Sequence, residues 1–280
     1  MIKYTRLILS KRRALIALLF LLTALLACNF PRLGASPDQR EIGTTTQTET
    51  PKVKEWQRTV NRLVELQDQL EIPDHLLETG AVKSKDDFNP NEYFSILTHL
   101  TMEAGYELDY VYQYELMGGR PMVYARKDEK KPYQTAEDYT QAFPEAASDD
   151  FLGHVRTDGS TKGYFEFIVL KIMGGQFYLW WHANYDDIRV VVERDTLEAL
   201  LASKNQFGEV LPLAVRQEAG SLDPTPSVEI QAEIVQVKVL VFTNWGGFIR
   251  KAYTLQREFP HEILVEREEI LVPFQSGVVY

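Results

Sequence analysis

Val228-Glu229-Ile230-Gln231-Ala232-Glu233-Ile234-Val235-Gln236-Val237-Lys238-Val239-Leu240-Val241-Phe242-Thr243-Asn244-Trp245-Gly246-Gly247-Phe248 is the stretch that decides the fold class. β-branched residues alternate with polar ones up to Asn244, which is strand patterning. Gly246-Gly247 then permits a tight reversal into a second strand, Phe248 to Arg257. A third strand is expected at Ile263 to Val272. The alternation also slips phase. Val228, Ile230, Ala232 and Ile234 fall on even positions, whereas Val235, Val237, Val239 and Val241 fall on odd ones. A one-residue slip turns the apolar side over unless a residue is inserted, so a bulge or bend is expected near Ile234-Val235.

The same arrangement recurs upstream. Leu108 to Leu116, with the tyrosines Tyr110, Tyr112 and Tyr114, leads through Gly118-Gly119 into Met122 to Arg126. Tyr164 to Met173 leads through Gly174-Gly175 into Phe177 to Asn184, with a following strand at Ile188 to Glu193. The unequal spacing of the three Gly-Gly pairs favours shared turn chemistry over internal duplication.

Helix signals alternate with these hairpins. Val53, Trp56, Val60, Leu63 and Leu70 recur at spacings of three, four or seven between Thr50-Pro51 and Ile72-Pro73. A second helix is expected from Asn89-Pro90 to Gly105, a third from Thr135 to the residue before Pro144, and a fourth from Asp195 to Ser203. The expected fold class is therefore α+β: a mainly antiparallel, twisted sheet built from Gly-Gly hairpins, with helices packed on it. Residues 52–280 read as a single α+β domain. Alternative boundaries lie near 128–134 and at the Asp223-Pro224-Thr225-Pro226 linker, 223–226.

Composition agrees with a folded chain. Of 280 residues, 45% are hydrophobic and 25% charged, which excludes a wholly disordered chain, a collagen-like repeat and a multi-span membrane protein. The single cysteine, Cys28, leaves no partner for an intramolecular disulfide.

The N-terminus carries the address. Lys3, Arg6, Lys11, Arg12 and Arg13 precede Ala14 to Ala27, a run in which only Thr23 is polar. As a helix this run spans roughly 21 Å, short of the roughly 30 Å hydrocarbon core, so it reads as the apolar region of an export signal. Leu25-Leu26-Ala27-Cys28 resembles the lipobox of bacterial lipoprotein precursors: an aliphatic residue, a small residue just before the cysteine, then the cysteine. The resemblance covers residues 1–28 only. It implies a signal peptide at 1–27 cut before Cys28, a diacylglyceryl thioether on that thiol, and a further acyl chain such as palmitate on the new amino terminus. Two or three chains exceed the anchoring threshold that one chain fails to reach.

Loss of 1–27 would leave 25 Lys+Arg against 40 Asp+Glu, a formal charge of −15. Such a chain repels phosphate backbones and gains nothing from anionic lipid, so no nucleic-acid partner is expected. Membrane lipid is the expected partner through the acyl chains, with an envelope protein or an extracytoplasmic ligand as cargo. Residues 28–51, the lipidated cysteine and the Thr-rich run Thr44-Thr45-Thr46-Gln47-Thr48, read as a flexible tether of roughly 25 Å reach.

Chemistry is harder to find. G-x-S-x-G, G-x-x-x-x-G-K-[ST], H-E-x-x-H and G-x-G-x-x-G are all missing from the sequence, so no cofactor and no metal is expected and no catalytic residue is assigned. His99 and Glu103 would share a helix face as half of a metal site, although a surface hydrogen bond is the blander reading. Asp186-Asp187 beside His182 is more simply a solvated turn. The best ligand-binding patch is Gln176 to Asn184. Period two places Tyr178, Trp180, His182 and Asn184 on one side, joining flat apolar rings to donors and acceptors suited to sugars, peptides or aromatic ligands. Phe177, Leu179, Trp181 and Ala183 would be core. The blander alternative is a second buried face, favoured because Tyr164 to Ile172 is apolar on both parities.

Two functions follow as expectations. The first is a lipid-anchored, non-enzymatic binding or scaffolding domain displayed in the cell envelope outside the cytoplasmic membrane. The second is an envelope hydrolase or transferase using His182 or His154 with nearby carboxylates.

Overall fold

A computed structural model describes residues 53–276 except 116, 146–148, 183–186 and 205–209. The expected leader, Cys28 and the tether fall outside the described residues, as do Asn184 and Asp186. The long hairpin around Gly246-Gly247 is present. β8 (Ile234–Thr243) and β9 (Gly247–Gln256) pair antiparallel from Ile234↔Gln256 to Thr243↔Gly247. Gly247 sits at φ +82°, and a Cβ there would meet the Val272 carbonyl oxygen at 2.1 Å, so no other residue fits. β10 (Ile263–Val272) adds to β9, while β6 (Ile188–Val191) and β7 (Ser227–Ile230) share the other edge of β8. All these pairings are antiparallel.

The phase slip marks more than the bulge or bend expected near Ile234-Val235. The chain reverses completely at residues 231–233, where the Gln231 N–H donates to the Ile234 carbonyl at 2.9 Å. Val228 then lies opposite Val237, and Ile230 opposite Val235. Opposed residues of an antiparallel ladder project to one face, so both parities deliver their apolar side chains to the same core.

α1 (Val53–Asp68) buries Trp56, Val60 and Leu63 as its 3.6 period requires. Gln67, also buried, donates to the Tyr93 hydroxyl at 3.1 Å and to the Met173 carbonyl at 2.7 Å, so the helix packs on its own domain. The short helices α2 (Ala136–Ala142) and α4 (Arg194–Ala202) lie where their sequences place them. The Thr135 side chain caps α2 by accepting from Asp138 N–H. α5 (Leu213–Ala219) was not anticipated.

The expected strand Tyr164–Met173 is instead helix α3 (Thr161–Met173). Its ten buried residues face neighbours on every side, and Trp56 stacks on Phe165 at 4.3 Å between ring centres. A helix enclosed all round has no polar stripe, so it imitates a doubly covered strand. Ser160, whose Oγ accepts from Gly163 N–H at 3.0 Å, is the cap that starts it. Each fully buried Phe, Ile or Leu contributes about 1.5–3 kcal/mol relative to exposure. α3 is thus the centre of the main core, joined by Val235, Val237, Val239 and Val241 from β8 and by Leu108, Tyr110 and Tyr112.

The expected helix from Asn89 to Gly105 is reduced to a 3-10 segment at Pro90–Ser95. Its continuation is prevented because the His99 N–H donates to the buried Glu166 carboxylate at 2.8 Å and not to a helical carbonyl. Asn91 also bridges sideways to both backbone groups of Leu108. β1 (Leu100–Met102) follows and pairs with β4 (Val155–Thr157).

β2 (Tyr106–Glu115) and β3 (Gly118–Lys127) form the first expected hairpin, with Glu115 opposite Gly118 and Tyr114 opposite Gly119. The glycines therefore stand inside β3, just past the reversal. Of the expected Phe177–Asn184 strand, the described residues form only β5 (Trp180–Trp181), which pairs with Gly119 and Gly118 of β3. A second core of Leu240, Phe242 and Phe248 with Leu197 and Leu201 lies under α4, and Val111, Tyr124 and Tyr139 form a third under α2. The architecture is α+β with mainly antiparallel sheets. Its main core draws on residues from both sides of 128–134 and of 223–226. Among the described residues, no helix is long and apolar enough to cross a membrane.

Candidate functional site

Two exposed indoles mark the strongest candidate. Trp180 is 38% exposed, Trp181 43%, and Met117 at the hairpin end 54%. The alternation expected for Phe177–Asn184 fails because Tyr178 (φ +53°) and Trp181 (φ +48°) are left-handed. Each such residue costs about 1–3 kcal/mol and turns the chain. Phe177 and Tyr178 consequently both point inward, while Trp180 and Trp181 both point out. Trp181, assigned to the core from its parity, is a rim residue.

Tyr178, expected on the ligand face, is the anchor of this loop. Its hydroxyl accepts from Phe88 N–H at 3.2 Å and its carbonyl accepts from the Tyr112 hydroxyl at 2.7 Å. Burial raises the pKa of both phenols, so both stay protonated and Tyr112 keeps the proton it donates. Gly119 makes the Tyr112 contact possible: a Cβ there would stand 2.5 Å from the Tyr112 hydroxyl oxygen. Phe177 fills the space below, edge-on to Phe88 at 4.9 Å and to Tyr110 at 5.0 Å.

His182 donates its backbone N–H to the Met117 carbonyl at 3.2 Å, and its ring lies 4.7 Å from that of Trp181. Gln113, Glu115, Arg120 and His182 line a shallow concavity of about 220 Å³ beside Gly118 and Gly119. Gln113 Nε2 donates to Glu115 Oε1 at 2.5 Å. Trp180 and His182 therefore share one edge, Tyr178 lies beneath it, and Asn184 is outside the described residues.

A larger cleft, about 590 Å³, lies between α1, β6, α4 and residues 173–179. Val64, Ile72 and Leu200 supply apolar wall, and Asp68, Asp187 and Arg189 polar groups. Burial raises the Asp187 carboxyl pKa, with Asp68 adding to the rise and Arg189, 3.6 Å away, opposing it. A third cluster joins Lys83 and Arg126 to the buried Asp109, with Glu107 also on Arg126. Burial, then the Arg126 charge, draws the Lys83 ammonium down to about 8. Two cations sharing one buried carboxylate tie the 83–87 segment to β2 and β3, a structural staple that the sequence pattern did not reveal.

The expected His99–Glu103 pair does not form, whereas His154 does meet a carboxylate. His99 and Glu103 are separated by β1 and do not share a helix face. His99 Nδ1 contacts Asp158 at 2.6 Å, and His154 Nδ1 contacts Glu103 at 2.7 Å, one pair closing each end of the β1–β4 ribbon. Ser160 Oγ also approaches His99 Nδ1, at 3.4 Å. Serine and carboxylate thus meet the same ring nitrogen, whereas a relay needs them on opposite nitrogens. Ser160 Oγ is moreover committed to Asp158 and to capping α3. Among the described residues no three metal-ligating side chains gather.

No protein-family model, curated protein or solved structure matches the chain.

Proposed function

We propose that the chain is a lipid-anchored cell-envelope protein that displays a non-enzymatic binding domain outside the cytoplasmic membrane. The binding edge is the Met117–Trp180–Trp181 rim with His182. The observation that carries this reading is the outward pair of indoles on a strained backbone. A fold seeking only stability would bury that area, because each aromatic ring offers about 150–250 Å² for burial. The anchoring half rests on Leu25-Leu26-Ala27-Cys28 closing an apolar run too short to span a bilayer. Lipid holds the chain to the membrane, since its formal charge after cleavage, −15, would not.

Expression of the full chain followed by intact mass measurement tests the anchor. The expected product begins at Cys28 and carries a diacylglyceryl group plus an acyl chain. A Cys28→Ser chain should lose the lipid mass and the lipid-dependent retention on membranes. A parent chain that keeps residues 1–27 and gains no lipid would defeat this reading. A second reading, an envelope hydrolase or transferase, draws support from the His154–Glu103 contact, which has the reach of a general-base pair. Its test is loss of a hydrolytic activity in His154→Ala with folding intact.

A further inference from the structure

We propose that the rim binds a glycan, with Trp180 and Trp181 as stacking surfaces and the adjacent concavity as the hydroxyl-reading side. The inference rests on the binding-edge reading above and names its ligand class. A pyranose ring presents an apolar C–H face and a rim of hydroxyls that donate and accept at once. A flat indole matches the first, and planar side-chain groups capable of paired hydrogen bonds match the second. The structure sets these next to each other. β5 places the two tryptophans opposite Gly119 and Gly118. Gln113, Glu115, Arg120 and His182, which bring an amide, a carboxylate, a guanidinium and an imidazole, line about 220 Å³ beside those same glycines. One Gln113 amide N–H is donated to Glu115 Oε1, so the pair still brings a second N–H, the Gln113 carbonyl and Glu115 Oε2 as groups that can meet hydroxyls.

The alternative partner for exposed tryptophan is the headgroup layer of a bilayer. The surroundings argue against it. An interfacial tip is framed by apolar residues and cations; this one sets Glu115 beside Met117 and Arg120, on a chain of strong negative charge that gains nothing from anionic headgroups. The shallow concavity also fits a ligand bound side-on to two rings better than a closed pocket would, as an extended polymer requires. Preorganisation supports the same use. Tyr178, held by Phe88 and Tyr112, fixes the backbone just before the indoles, so less backbone freedom is lost on binding.

The test uses the full lipidated chain reconstituted in phosphatidylethanolamine/phosphatidylglycerol vesicles. Soluble N-acetylglucosamine oligomers and, separately, glucose oligomers are titrated while tryptophan emission is followed. A parallel sample contains lipids brominated on the acyl chains, which quench any indole that enters the bilayer. The expected result is saturable binding of at least one oligomer series, weakened about tenfold or more by Trp180→Ala and by Trp181→Ala. Phe143→Ala, an exposed aromatic elsewhere, should leave binding unchanged, and far-UV circular dichroism should be the same for all variants. No saturable binding, together with bromine quenching that disappears in the Trp180→Ala/Trp181→Ala chain, would overturn the glycan assignment and leave a binding edge whose partner is lipid. If neither readout changes in that double variant, the binding edge itself is overturned along with the glycan.

Discussion

Gly119 shows what one residue without a side chain can decide. Its sequence context, Gly118-Gly119 between two apolar runs, suggests a turn, yet both glycines lie in β3. Their absent side chains serve close approach: Tyr112 crosses Gly119 to reach the Tyr178 carbonyl, and β5 lies alongside. Gly119→Ala should therefore destabilise the protein by about 1–3 kcal/mol, the usual cost of overpacking, and should shift tryptophan emission as the Trp180–Trp181 segment moves. Gly153→Ala is the comparison, because a Cβ there meets nothing within 4 Å. Urea unfolding measures both, and equal stability for the two variants would refute the account. Tyr178 and Trp181 carry the complementary lesson. Left-handed backbone at an aromatic residue leaves no trace in hydrophobic alternation. Trp180 was legible as an outward-facing residue, whereas Tyr178 lies inward and Trp181 outward, the reverse of what parity predicts.

At the scale of elements, the strands that pair locally were readable, and the elements shaped by distant partners were not. β8, β9 and β10 follow from alternation around Gly246-Gly247, because each strand pairs with its sequence neighbour. α1, α2 and α4 follow from caps and apolar spacing. α3 misleads because enclosure erases its period and because its apolar run, Tyr164 to Met173, is no longer than strands such as β8 and β9. α3 also holds a buried titratable group. Glu166 is fully buried, its Oε2 accepts from His99 N–H, and its Oε1 has no hydrogen-bond partner among the described residues, with Lys162 Nζ 3.8 Å away. Burial raises its pKa above 4.5, His99 and Lys162 oppose the rise, and Asp158 adds to it. The folded state therefore holds this proton more tightly than the unfolded chain, and its stabilising contribution fades as pH climbs above 4.5 through the raised pKa. Glu166→Gln removes that titration. The stability of the variant relative to the parent should improve between pH 4 and pH 8, as read from urea midpoints at each pH. A difference that stays constant, or moves the other way, would show that Glu166 is ionised in the fold at no cost.

On the scale of the whole molecule, one margin of the five-stranded sheet is unpaired among the described residues. β10 is an edge strand of ten residues, and along most of it both faces meet solvent. Leu264 is 50% exposed and Ile270 62%. A long apolar edge offers unpaired backbone groups to any extended chain, including another copy. Two features oppose that. The register shifts between Ile263 and Val265 and again between Ile270 and Val272, which twists the ends. Between the shifts stand Glu266, Arg267, Glu268 and Glu269, of which Glu266 and Glu268 are tied to Lys251 on β9. In an antiparallel pairing of two such edges centred on Glu268, the two copies of that carboxylate would face each other, and the repulsion blocks the register. Replacing the acids should release it. The chain with Glu266→Thr, Glu268→Thr and Glu269→Thr is expected to keep its circular dichroism but to form dimers or larger species at concentrations where the parent does not, as measured by light scattering in detergent. The parent should begin to associate when salt screens the same charges, whereas the variant should respond little to salt. If the variant disperses as the parent does, edge protection lies in the two register shifts alone, and a chain that pairs through β10 would then have to be sought among partners that tolerate a twisted ladder.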